Sequence, residues 1–453
     1  MIDERRTEKA ASAARLFDWH ARPGAFERLS PPWDRVRLLQ PHPGLVPGSR
    51  VELALRVGPL QQRWIARHES VSPGHGFVDV QEDGPFARWR HTHVFDSLGP
   101  DHSALTDRIE CELPGGPLGE LAEPTVRRKL RRLLAYRHAV TAADLELHGR
   151  TAGLPRLTVA ITGATGLIGR TVAAMLSTGG HRVVPLVRRA AAPGEISWDP
   201  SRGILDPTAL AGIDAVIHLA GENIAGGRWT TDRQARIRAS RIDGTGTMAR
   251  AMAAASPRPR VLLSTSAVGV YGDRGDLELD ETAVPGSGFL PEVTQAWEQA
   301  AAPARDAGIR VVHPRMGVVL SPAGGALAKL LPLFRLGLGG PVGSGRQYLS
   351  WISVDDCAAT LVTLLTAEIA GPVNLAAGAA TNRDFAAALG GVLARPTFLP
   401  VPAAALRLVF GQMAEETLLA STRCTPRRLL DLPYPFRHPD LTSAFRHVLG
   451  TNL

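Results

Sequence analysis

The chain has 453 residues, of which 44% are hydrophobic and 21% charged, and a formal net charge of +8. Its length exceeds one ordinary core and points to two or three domains, while the composition excludes a disordered or fibrous chain. The three cysteines, Cys111, Cys357 and Cys424, lie far apart with no CxxC spacing, which argues against a disulfide framework and a structural zinc site.

No basic-then-apolar leader and no apolar run of about 18 residues is read, so the expectation is a soluble cytoplasmic protein without a membrane span. Arginines far outnumber the lysines at 9, 129 and 329, a usage that fits a GC-rich genome as well as a polyanionic partner. The densest basic run, Arg127-Arg128-Lys129 with Arg131 and Arg132, interleaves Leu130, Leu133 and Leu134, as the charged outer face of an amphipathic helix does. No nucleic-acid partner is expected.

The first 150 residues read as a strand-rich α+β unit. After a short helix near Phe17 to Leu29, strands are predicted at Val51 to Val57, Trp64 to Val71, Phe77 to Val80, Phe86 to Phe95 and Leu105 to Leu113, separated by Gly, Pro or Asp. A helical pattern from Glu123 to Leu145 closes the unit. Antiparallel strands followed by one long C-terminal helix resemble the helix-grip fold of the START-like polyketide cyclase and lipid-transport superfamily (SRPBCC). Such a sheet can enclose an apolar cavity for a hydrophobic ligand; a docking or purely structural domain is the equal alternative. His91 and His93 are two apart on one strand face, a spacing a metal could use, but no third ligand is evident and no metal site is assigned.

Residues 151–156 read as a linker, and from Leu157 strands alternate with helices. Thr158–Thr162, His181–Val187, Ala215–Leu219, Val261–Ser264 and Val311–Val312 are predicted as buried parallel strands, which makes residues 157–395 an α/β doubly wound sheet of the Rossmann type. Beyond Pro341 the pattern loosens, and 396–453 reads as a small C-terminal subdomain on the substrate side. The informative segment is Thr158 to Gly169, a strand entering glycines at 163, 166 and 169 and then an apolar helix. Gly163 suits a tight turn, Gly166 lets backbone approach a pyrophosphate, and Gly169 lets helix and strand pack closely, with the helix N-terminus supplying N–H groups. Where NAD-preferring sites usually carry an acid, this chain has Arg188 and Arg189, so NADP(H) is expected over NAD(H).

The loop Thr162 to Gly169, the segment Asp214 to Gly221 and the run Ser264 to Gly272 resemble the extended short-chain dehydrogenase/reductase superfamily. Gly221 to Trp229, Ser240 to Thr245, Tyr271 to Asp276, Ser350 to Asp356, Leu399 to Pro402 and Pro426 to Leu430 look like the YfcH-like epimerase family, over nearly all of 157–450, and members with an N-terminal START-like domain fit this layout. The resemblance implies an NAD(P)-dependent epimerase or oxidoreductase acting on a small molecule. It implies that Gly163, Thr165, Gly166, Leu167, Ile168 and Gly169 hold the pyrophosphate and Arg188, with Arg189 beside it, the 2′-phosphate. Asp199 would lie near the adenine, and Leu219, Ala220 and Gly221 beside the middle of the cofactor. Ser264, Thr265 and Ser266 end the strand that carries the superfamily's catalytic serine, Ser266 being the choice beside the nicotinamide.

One departure is plain. The superfamily's Tyr-x-x-x-Lys pair, in which lysine lowers the tyrosine pKa for proton exchange, occurs nowhere in the chain; aligning Glu298 with the usual glutamate puts Leu290 and Thr294 at its two positions. Tyr271 is the substitute considered for the phenol. Glu222, Arg228, Trp229 and Arg346 are candidate substrate residues because each follows a predicted strand. A cofactor-binding sensor or scaffold without turnover is the competing reading.

Overall fold

The computed structural model describes residues 1–34, 36–40, 44–57, 60–432 and 434–451. The chain divides into two compact units: residues 1–155 with two short later pieces, 174–180 and the end from Arg446, and residues 156–173 with 181–445.

The first unit begins with a strand, β1 (Ile2–Lys9), that hydrophobic patterning does not reveal. Its burial alternates, but the inward positions are polar, among them the buried Asp3 and Lys9. Two helices follow, α1 (Ala13–Ala21) and α2 (Ala25–Leu29), in place of the single one expected. Gly24, at φ +90°, breaks the run, because helix cannot continue through that backbone. Strands β2 (Arg37–Leu38), β3 (Arg50–Val57), β4 (Leu60–Ser72), β5 (Gly76–Asp83), β6 (Arg88–Gly99) and β7 (His102–Glu112) then form a meander. The sheet order is β1-β7-β6-β5-β4-β3-β2, with all these pairings antiparallel. Helix α3 (Pro117–Arg150) runs across it, with Pro117 in the first turn, where the missing N–H costs nothing. Leu130 and Leu134 of α3 pack on Trp89, Ile109 and Cys111, and Leu145 joins Leu16, Trp19, Phe77, Phe95 and Leu105. This is the helix-grip arrangement. Two arginines of the basic run are engaged within it: Arg127 donates to the Ile2 carbonyl and Arg131 to Asp3.

The second unit carries β8 (Thr158–Thr162), α4 (Leu167–Thr178), β9 (Arg182–Val187), β10 (Ile196–Ser197), β11 (Ala215–His218), α5 (Thr231–Ala254), β12 (Val261–Ser264) and β13 (Ser266–Ala267). There follow β14 (Glu278–Leu279), α6 (Phe289–Gln299), α7 (Ala302–Asp306), β15 (Arg310–Met316), β16 (Val318–Leu320), α8 (Gly325–Arg335), β17 (Tyr348–Ser353), α9 (Val354–Thr366) and β18 (Gly371–Leu375). The remainder comprises β19 (Gly378–Thr381), α10 (Asn382–Leu393), α11 (Ala403–Phe410), β20 (Arg423–Cys424), α12 (Arg427–Leu430) and α13 (Leu441–Leu449). The main sheet is parallel in the order β10-β9-β8-β11-β12-β15, with β13 and β18 both on β15. From β8 the chain winds outward to β9 and β10, then returns to β11 on the other side. The gap between β8 and β11 is therefore the topological switch point, where open α/β sheets bind ligands.

The loosened pattern past Pro341 conceals α9, a helix with eleven buried residues. A helix buried nearly all round has no polar face to give it periodicity. Asp356 on α9 accepts hydrogen bonds from the backbone N–H groups of Arg437 (2.7 Å) and His438 (3.1 Å) and from the Tyr434 hydroxyl (3.1 Å). The serine-to-aspartate motif at 350–356 thus ties the tail to the sheet: Ser350 also donates to the Thr422 carbonyl and accepts from Cys424 N–H.

Candidate active site

The switch point is built from backbone packed too closely for side chains. Gly163 sits at φ +67°, and a Cβ there would lie 3.3 Å from Ala220 N and Leu219 C. A Cβ on Gly169 would lie 2.2 Å from the Gly163 carbonyl oxygen and 2.8 Å from Ala164 Cα, so only glycine lets α4 start against β8. Thr165 and Gly166 are exposed at the tip, and the first N–H groups of α4, at Leu167 and Ile168, have no acceptor within the helix. Beneath the tip, the Thr162 hydroxyl accepts from the N–H groups of Leu219 (3.0 Å) and Ala220 (3.1 Å). Its own hydrogen is left for His218 Nδ1, at 2.8 Å. Burial pushes the His218 imidazole down to about 4, so it is neutral and its role is to brace the two loops. Gly221 follows, exposed, on the same loop.

The two arginines after β9 differ. Arg189 forms two 2.7 Å contacts with Glu195, whereas Arg188 is exposed and has no ion pair among the described residues. Asp199 lies one strand further on, its carboxylate occupied by Ser201 N–H (3.0 Å), the Ser201 hydroxyl (2.6 Å) and Arg202 N–H (3.3 Å). It shapes the turn that borders a depression of about 450 Å³, lined by Ser201, Asp243, Thr247, Arg250 and Gln299 among others and by none of the glycine-loop residues.

Around β12 the hydroxyls are enclosed. Ser264 is fully buried, and Thr265 donates to the His218 carbonyl at 2.8 Å. Ser266, 3% exposed, donates to Glu298 Oε1 at 2.6 Å. Glu298 is gripped by Arg315 through two bonds of 2.8 and 2.9 Å, and Arg315 also donates to the Tyr271 hydroxyl at 2.9 Å. Tyr271 in turn donates to Asn374 Oδ1 at 2.8 Å. Burial raises the Glu298 carboxyl, but Arg315 and Ser266 more than offset this and hold it below its ordinary value. Burial drives the Tyr271 phenol up to about 12. With its ring 0% exposed and its hydroxyl used twice, Tyr271 lacks the access and acidity of a proton-transfer group, which corrects the role considered for it. Glu298 and Arg315 were invisible as partners in the sequence because 17 residues and a change of element separate them.

The Tyr-x-x-x-Lys positions are filled by packing. Leu290 on α6 joins Trp229, Ile237, Val293 and Met413 in an apolar cluster, and the Thr294 hydroxyl donates back to the Leu290 carbonyl at 2.7 Å. Trp229, 7% exposed with its indole N–H on the Ile224 carbonyl, is core rather than pocket wall. Glu222 is fixed through its backbone, with N–H to the Ser240 hydroxyl and its carbonyl receiving Arg241. Arg228 is exposed and donates to the Leu408 carbonyl, while Arg346 is exposed, its backbone N–H bonded to the Ser344 hydroxyl. No helix of the described residues is long and apolar enough to cross a membrane.

Residues 159–376 match the NAD dependent epimerase/dehydratase family, 10–136 the polyketide cyclase/dehydrase and lipid transport family, and 401–448 a domain of unknown function. An epimerase family protein of Mycobacterium bovis is 43% identical over 293 residues, 64% of this chain and 97% of that protein. Among solved structures, a nucleoside-diphosphate sugar epimerase from Corynebacterium glutamicum aligns with a TM-score of 0.82 at 34% identity, over 99% of this chain and 90% of that one. The human epimerase family protein SDR39U1, solved with NADPH, aligns with a TM-score of 0.60 at 35% identity, over 66% of this chain and all of that one.

Proposed function

The chain belongs to the NAD dependent epimerase/dehydratase family, and from that premise we propose that it is an NADP(H)-dependent oxidoreductase or epimerase of the extended short-chain class, acting on a nucleotide sugar or another small carbonyl compound. The observation that carries this is the cradle at the switch point, with Arg188 exposed and unengaged beside it. Thr165, Gly166, Leu167 and Ile168 would offer their N–H groups to the pyrophosphate at the positive end of α4, and Arg188 its guanidinium to the 2′-phosphate. The bound cofactor would supply hydride exchange at a carbinol or carbonyl carbon. Ser264, Thr265 and Ser266, at the end of β12, would line the nicotinamide side, with Glu298 kept anionic behind Ser266. The NADPH in the human relative supports the choice of dinucleotide.

Calorimetry tests the reading. NADPH is expected to bind more tightly than NADH, and Arg188→Ala to weaken NADPH about 10–100-fold, the worth of one hydrogen bond to a charged group, while leaving NADH unchanged. Absence of binding by either dinucleotide would remove it.

A second reading is favoured by the filled Tyr-x-x-x-Lys positions and by the enclosed Tyr271: NADPH bound without turnover, in a sensor or scaffold whose N-terminal domain binds a hydrophobic ligand or partner. Oxidation of bound NADPH by any member of a carbonyl and nucleotide-sugar panel, lost in Ser266→Ala, decides for the enzyme.

A further inference from the structure

The inner face of the helix-grip sheet is lined where its strands are expected to be apolar. Cross-strand register sets His68 opposite Asp79, Asp79 opposite His91, and His93 opposite Asp107, with His91 and His93 two apart on β6. In an antiparallel sheet directly opposed residues share a face, so groups far apart in sequence form one row. One ligand atom from each of Asp79, His91 and His93 lies within 4.8 Å of the others.

We propose that Asp79, His91 and His93 bind one divalent transition-metal ion, with Zn²⁺ the best match. Two imidazoles and a carboxylate are a common three-ligand set for zinc, leaving a fourth position open, and the same set suits Fe²⁺. His93 is already oriented: its Nε2 lies 3.8 Å from Asp79 Oδ2, while its Nδ1 lies 2.5 Å from Asp107 Oδ1. A carboxylate behind a histidine in this manner fixes the ring and its tautomer for a metal, and Phe77, stacked at 4.0 Å, holds the ring plane.

The second, independent observation is unmet hydrogen bonding. His91 Nε2, His93 Nδ1 and Asp107 Oδ1 have close neighbours but no properly directed hydrogen bond, although His91 and His93 are 4% and 5% exposed. Buried polar atoms are normally paired, and a set left unpaired together signals a missing partner. Asp79, enclosed by protein, keeps 22% of its side-chain surface accessible, which marks water-sized space at the carboxylate. Asp107 acts as a positioning residue, with its other oxygen held by His138 Nε2 at 2.9 Å.

The test uses the full-length, tag-free chain after chelator treatment and dialysis. Calorimetric titration with Zn²⁺ is expected to show one tight equivalent and a raised Tm, Co²⁺ to give the intense visible band of a low-coordinate site, and elemental analysis of untreated protein to show which metal it carries. The double variant His91→Ala/His93→Ala is expected to lose the equivalent, Asp107→Asn to weaken it about 10–100-fold, and the exposed-histidine control His102→Ala to retain it. No stoichiometric Zn²⁺ and a featureless Co²⁺ spectrum in the unaltered chain would overturn the proposal, whatever the variants do. Full binding by the double variant would do the same.

Discussion

Each unit buries a charged polar cluster, and the two are finished differently. In the Rossmann unit the chain Ser266, Glu298, Arg315, Tyr271 and Asn374 is linked by directed bonds of 2.6–2.9 Å. In the helix-grip unit His91, His93 and Asp107 are equally buried and as near to one another, yet their facing atoms are not aligned for hydrogen bonds. A satisfied network stiffens its surroundings; an unsatisfied one is stable only with a further partner. The contrast explains why the residues with family precedent for chemistry, around β12, are structurally committed, while the domain without a chemical motif carries the open ligand set.

The largest expected effect lies in the finished cluster. Arg315→Met leaves Glu298 charged and unpaired at 16% exposure, for a loss of about 3–5 kcal/mol read as a lowered urea midpoint. Because the folded Glu298 carboxyl is held below its ordinary value near 4.5, this contribution is fully present above that pH and disappears as pH falls through the lower folded value. The difference between the unaltered chain and Arg315→Met should therefore shrink in acid; a constant difference would mean the pair is not the source. A smaller change is expected from His91→Phe in metal-free protein, within about 1.5 kcal/mol, since volume is nearly conserved and no directed bond is lost. A loss as large as that of Arg315→Met would show the helix-grip cluster to be as complete as the other. Smallest is Glu416→Ala. Glu416 caps α6, accepting from Leu290 N–H at 2.7 Å and Phe289 N–H at 3.2 Å, so its removal should cost about 1 kcal/mol by the same midpoint measurement. It gives the worth of one exposed-edge polar contact against which the two buried clusters are gauged.

Legibility in the sequence followed the kind of signal each element carries. The parallel strands at 158–162, 215–218 and 261–264 read clearly because strands covered on both faces are continuous apolar runs between glycines. Strand β1 did not, because its inward residues are polar, and α9 did not, because it lacks a polar face. Arg188 and Arg189 look alike in sequence; the structure separates them through Glu195. Trp229 read as a possible pocket wall and proved to be core.

What the sequence alone determines is the local part: a glycine loop that only Gly163 and Gly169 can form, the arginine that follows the second strand, and the missing Tyr-x-x-x-Lys. These are properties of short segments, whose backbone geometry and residue type suffice. Tertiary structure alone decides which groups meet. Asp79 is opposed to His91 by strand register, Glu298 meets Arg315 across α6 and β15, and Tyr271 is enclosed by Asn374, which is 103 residues away. Register and crossover, set by the whole pattern of burial, carry that information, and no window of sequence contains it.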